Sequence, residues 1–178
     1  MQESMVRGVG WHFMDMGRRV ERAIQIMKTV TTLITPKVDK ADSETLLHAM
    51  LRSMEVLITY RRHSRNRAGL ELGLELVMID SSNPRSLLFQ FEQLQNHFSI
   101  LRKGDGNSKA LAEEDRALLE AITSLKLSRI NQLVEVCEGS RENLSTLLTQ
   151  LNKLLSDFSN IVSDKYFELA FEKPLTDQ

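Results

Sequence analysis

Apolar residues return at steps of three and four along most of the chain, the spacing that gathers them on one face of an α-helix. From about Glu3 to Ile34, the series Val9, Phe13, Met16, Val20, Ala23, Met27, Val30 and Ile34 predicts one long helix. Pro36 stops it, because proline lacks the amide proton and disfavours helix in the residue before it. After the charged stretch 37–42, Asp42 or Ser43 is placed to cap a second helix through Leu47, Met50, Leu51, Met54, Leu57 and Ile58. That helix runs into Tyr60-Arg61-Arg62-His63-Ser64-Arg65-Asn66-Arg67 and is closed by Gly69.

A short helix is expected from about Leu70 to Ile79. Ser82-Asn83-Pro84-Arg85-Ser86 then reads as a helix start, since asparagine caps well and proline at the first position gives up only an unpaired amide. Leu87, Leu88, Phe91, Leu94, Phe98 and Leu101 carry the fourth helix, and the polar, glycine-bearing segment 103–108 reads as a mobile loop. A fifth helix uses Leu111, Leu118, Leu119, Ile122 and Leu125, then Ile130, Leu133, Val134 and Cys137. Its register slips near Leu125 to Leu127, which predicts a wide buried face or a kink. Gly139 is expected to end it and Ser140 to cap the last helix, whose seam is Leu144, Leu147, Leu151, Leu154, Phe158 and Ile161. About six helices, most of them long, predict an all-α antiparallel bundle and one domain over residues 1–178.

Composition supports this reading and narrows the function classes. Eight glycines and three prolines are few, as long helices with short connections require. A formal net charge of −1 offers no global basic field for nucleic acid or anionic lipid. One cysteine, Cys137, cannot form an internal disulfide; it sits in an apolar run and reads as a buried core thiol. No apolar run approaches the ~20 residues of a membrane helix, and Met1-Gln2-Glu3-Ser4 does not begin a signal peptide. A cytoplasmic location is expected by elimination.

The first helix carries more than its apolar stripe. At about 100° per residue, Trp11, Asp15, Arg18 and Arg22 form a second stripe opposite Phe13, Val20 and Met27. Such charges are ordinarily a solvated face. Yet a tryptophan gains nothing there, and Gly17 in mid-helix costs about 1 kcal/mol relative to alanine. Gly17 fits better where another backbone comes close. Trp11 and Gly17 therefore mark a candidate interface, with the helix covered on two sides.

The segment Gly10-Trp11-His12-Phe13-Met14-Asp15-Met16-Gly17-Arg18-Arg19-Val20-Glu21-Arg22-Ala23 resembles the Alpha-E family, a helical domain named for its Glu-Arg motif. Tyr60-Arg61-Arg62, Asp80 with Asn83-Pro84-Arg85-Ser86, and Ser163-Asp164-Lys165-Tyr166-Phe167 resemble the same family in order along the chain. Phe167-Glu168-Leu169 stands where the family usually has a histidine after its Tyr-Phe pair. The likeness is to the C-terminal portion of a longer domain, which implies that the Trp11/Arg22 stripe faces the remaining portion. It also implies association with ATP-grasp or transglutaminase-like proteins in peptide ligation or modification. Under that reading the chain is a non-catalytic partner or scaffold, and a second copy of itself is an alternative partner.

The residues themselves offer no catalytic set. His12, His48, His63 and His97 are dispersed, without the inward Glu-x-x-His pairs of a di-iron or zinc bundle. Gly104-Asp105-Gly106 lacks the lysine and preceding strand of a phosphate loop. No cofactor, metal or catalytic residue is indicated. What remains is a polar set: Asp15, Arg18, Arg19, Glu21, Arg22, Tyr60, Arg61, Arg62, Asp80, Asn83 and Arg85. Three readings stay open for it. The arginines pair with carboxylates between helices to fix register; or they converge on the carboxylate or phosphate of a peptide or nucleotide, as a binding module or enzyme; or Arg61 to Arg67 touch nucleic acid, against which the near-zero net charge weighs.

Overall fold

The computed structural model of the chain describes residues 8–64, 68–102 and 111–166. These form an all-α bundle: α1 (Val9–Ile34), α2 (Lys40–Ser53), α3 (Leu57–His63), α4 (Leu70–Leu74), a π-helical turn (Glu75–Ile79), α5 (Leu87–Arg102), α6 (Glu113–Leu127), α7 (Ile130–Leu133) and α8 (Glu142–Tyr166). The long helices α1, α5, α6 and α8 pack on one another, with α1 lying mainly against α5 and α6 against α8. Among the described residues no helix is long and apolar enough to cross a membrane.

The apolar spacing that predicts the helices also builds the core. From α1 come Met16, Ala23, Met27, Val30 and Ile34; from α5 come Leu87, Phe91, Leu94 and Phe98; from α8 come Leu144, Leu147, Leu151 and Phe158. Phe98 and Phe158 meet edge to face at 5.7 Å between ring centres. Burying each such side chain contributes roughly 1.5–3 kcal/mol, so these seams outweigh any surface ion pair.

Several expectations need correcting, each for a local reason. The second helix is interrupted: Glu55 adopts a left-handed backbone (φ 58°), Val56 is buried, and Ile58 in α3 is left 68% exposed. The helix start assigned to Asn83 is displaced to Ser86. Asn83 Oδ1 accepts the Arg85 amide within a turn, whereas Ser86 Oγ accepts the Phe89 amide at 3.1 Å and so caps α5. The fifth helix breaks at extended Ser128 and Arg129. An unbroken helix would place Ile130 about 140° away from Leu125, and the break returns both to the core.

Cys137 is exposed, not buried. It lies in a small hairpin in which Cys137 and Ser140 exchange backbone hydrogen bonds of 2.8 and 3.0 Å across Glu138 and Gly139. Both turn residues have positive φ (48° and 93°), which suits a tight hairpin and explains the glycine. Ser140 therefore belongs to the hairpin, and α8 starts at Glu142. The adjacent Arg141, 8% exposed, donates from Nη1 to the carbonyls of Ile34 (2.6 Å) and Pro36 (3.1 Å). A buried cation thereby closes the negative end of α1. The expected loop 103–108 lies outside the described residues.

Candidate functional site

α1 carries two polar regions. The first faces α5. Asp15, 8% exposed, accepts from Arg19 Nε at 3.0 Å and from His97 Nε2 at 2.7 Å. Arg19 also donates to Gln90 Oε1 at 3.3 Å, and its guanidinium carbon lies 5.7 Å from the centre of the Phe89 ring. Gln90, fully buried, donates to the carbonyls of Pro84 and Ser86. His12 completes the chain, its Nδ1 standing 2.9 Å from His97 Nδ1.

Donor and acceptor roles follow from the carboxylate. Asp15 can only accept, so His97 carries its proton on Nε2 and accepts at Nδ1 from His12. Burial pushes the Asp15 carboxyl up, but the bonds and charges of Arg19 and His97 outweigh this and hold it below its ordinary value. For His97 burial wins: it pushes the imidazole down despite the upward pull of Asp15. Trp11 lies edge-on against both rings, at 5.1 Å from His12 and 5.3 Å from His97.

The second region opens to solvent on the other side of Arg19. Arg18, Glu21, Arg22, Gln25, Ile26 and Thr29 of α1 line a groove of about 470 Å³, closed by Ser53 and Met54 at the end of α2 and by Arg85 before α5. Arg85 is ion-paired with Glu55. Arg18 makes a long contact to Met14 Sδ, 3.7 Å. Glu21 and Arg22 have no side-chain partner among the described residues and are exposed. Gly17 is exposed too, with nothing within 4 Å of where a Cβ would stand. The close backbone approach expected there is not made among the described residues.

The remaining sequence candidates divide between scaffold and surface. Tyr60 is buried, and its hydroxyl accepts the Gly69 amide at 2.8 Å. Asp80 Oδ1 accepts from the Ser82 amide and hydroxyl, and Asn83 Nδ2 donates to the Leu76 carbonyl at 2.8 Å, so both shape the turn that aims Arg85. Arg61 and Arg62 are exposed and do not line the groove; Arg65 and Arg67 lie outside the described residues. Lys165 binds buried Glu114 at 2.7 Å and ties α8 to α6. Among the described residues, no three His, Cys, Asp or Glu side chains are grouped to hold a metal ion.

The histidine pair was missed by sequence reasoning. His12 and His97 are 85 residues apart, and local spacing shows a face but not its partner. A signal did exist: Asp15 follows His12 by one helical turn, on the side of α1 that holds Trp11.

Comparison with known proteins places the chain in a family. Alpha-E, described as a predicted alpha-helical domain with a conserved ER motif, matches residues 1–167. Uncharacterised proteins of Mycobacterium tuberculosis and Mycobacterium bovis are 30% identical over 162 residues, which covers 90% of this chain and 18% of each relative. The chain thus spans under a fifth of the length of these relatives. No solved structure matches. The chain's one Glu-Arg dipeptide, Glu21-Arg22, lies in the wall of the groove. With the match running over nearly its whole length, the chain belongs to the Alpha-E family.

Proposed function

We propose that the chain is a non-catalytic helical partner domain whose groove holds an anionic group, carboxylate or phosphate, of a peptide or protein. One observation carries this: Arg18, Arg22 and Arg85, drawn from sequence segments more than sixty residues apart, converge on one open groove, and Arg22 has no side-chain partner among the described residues. Arginines gathered at a concave surface are suited to capture oxyanions in bidentate fashion. The family resemblance supplies the setting, an ATP-grasp or transglutaminase-like partner in peptide ligation or modification. The small share of the mycobacterial relatives that this chain spans agrees with a module working beside further polypeptide.

The test is a melting curve with increasing glutamate or inorganic phosphate at low ionic strength. Either anion should raise the melting temperature of the parent chain but not of an Arg18→Ala/Arg22→Ala double variant, whose own melting temperature stays close to the parent's. Equal response of the two proteins defeats the proposal.

A further inference from the structure

The groove is not uniformly cationic, and its asymmetry narrows its ligand. Three guanidiniums, Arg18, Arg22 and Arg85, stand against two carboxylates, Glu21 in the wall and Glu55 on Arg85, which leaves one net positive charge. A phosphate group carries about −1.5 to −2 charges at neutral pH, and a nucleotide more. Free amides at a helix N-terminus would add to the arginines in holding such a ligand. Here the α1 residues of the wall, Arg18 to Thr29, are in mid-helix, so their amides are already bonded within it.

The helix end that does reach the groove has the opposite polarity. Ser53 and Met54 lie at the C-terminal end of α2, where the macrodipole places partial negative charge. Glu21 adds a full negative charge with no partner among the described residues. Ile26 and Met54 contribute apolar wall. The groove therefore offers a site for an anion beside a site for a cation, in a volume within the range of small-ligand pockets, roughly 300–1,000 Å³.

We infer that the ligand is bipolar, a carboxylate carried close to an ammonium group, as in a free amino acid or a short peptide with an unblocked amine. The arginines take the carboxylate, and Glu21 with the end of α2 takes the ammonium. This rests on the anion-binding reading of the same groove and adds to it the second charge.

The experiment is calorimetric titration of the whole chain at low salt with four probes: the dipeptide Ala-Glu, N-acetyl-Ala-Glu, inorganic phosphate and ADP. Ala-Glu should bind saturably, and acetylation, which removes the ammonium, should weaken binding about tenfold, or roughly 1.4 kcal/mol. Arg22→Ala should abolish binding. Glu21→Gln should keep N-acetyl-Ala-Glu binding and erase its disadvantage, with an unchanged helical circular dichroism spectrum. Equal affinity for the two dipeptides, or tighter binding of phosphate or ADP than of Ala-Glu, overturns the bipolar ligand while leaving the anion groove standing. Absence of heat with all four probes overturns both.

Discussion

Around Asp15 and around Arg22, the same helix treats charge in opposite ways. Asp15, Arg19, His97 and His12 are covered by α5 and bonded to one another, each polar group answering the next. About two turns further along, Glu21 and Arg22 stand exposed, and among the described residues only Arg85 of the groove's arginines is tied to a carboxylate. The first arrangement fits the cost of burying charge: a group removed from water must find its partner inside the protein. The second is under no such demand, since exposed pairs stabilise by at most about 1 kcal/mol. Charges that stability does not require are free to serve recognition.

The sharpest way to break this comparison is to delete one charge from each region. Asp15→Ala leaves Arg19 and His97 without their shared acceptor and should cost about 2–4 kcal/mol, read as a lower urea midpoint. Arg22→Ala should stay within about 0.5 kcal/mol of the parent. Similar losses in the two variants would mean that the outer charges are structural as well.

Acid should separate the regions next. His97 is held below its ordinary value, so the unfolded chain takes up its proton first and stability falls as the pH drops below about 6.5. Asp15 acts in the same direction at lower pH: its carboxyl is also held down, and its contribution is lost as the pH falls through the folded value. Melting temperatures between pH 7.5 and 5 should therefore decline for the parent chain and less steeply for His97→Gln. A parallel decline would remove the inner network as the cause.

Gly17→Ala is the mildest probe and asks whether the outer flank of α1 is open. With space for a Cβ and no contact within 4 Å, alanine should stabilise the chain by about 0.5–1 kcal/mol. Gly73→Ala is its control, because a Cβ there would collide with the side chain of buried Leu47 and should destabilise. A loss at Gly17 would show that a neighbouring chain already packs on this flank.

How far these regions could be read in advance depended on the distance over which their causes act. The helices were legible because apolar spacing is local, and Leu144, Leu147, Leu151 and Phe158 entered the core as their spacing requires, while Leu154 and Ile161 are only partly buried and Leu155 and Val162 are buried beside them. The slip at Leu125 was visible as well, though its outcome, a full break at Ser128, needed the position of Ile130. Cys137 was misplaced because its apolar neighbours suggested burial, while the positive φ of Glu138 and Gly139 folds that stretch into an exposed hairpin. Glu21 and Arg22 were legible as a motif. That Arg85 would join them, or that His97 would meet His12, depended on tertiary packing that no local pattern encodes.

Trp11 is the only tryptophan in the chain, and it rests against both members of the histidine pair. Protonated imidazole quenches indole emission more strongly than the neutral ring does. The intrinsic fluorescence of this protein is thus a spectroscopic gauge of a single seam, where α1 meets α5. Events in the groove that leave this seam undisturbed should pass without colour or intensity change, while any partner that prises the two helices apart should be visible in unlabelled protein.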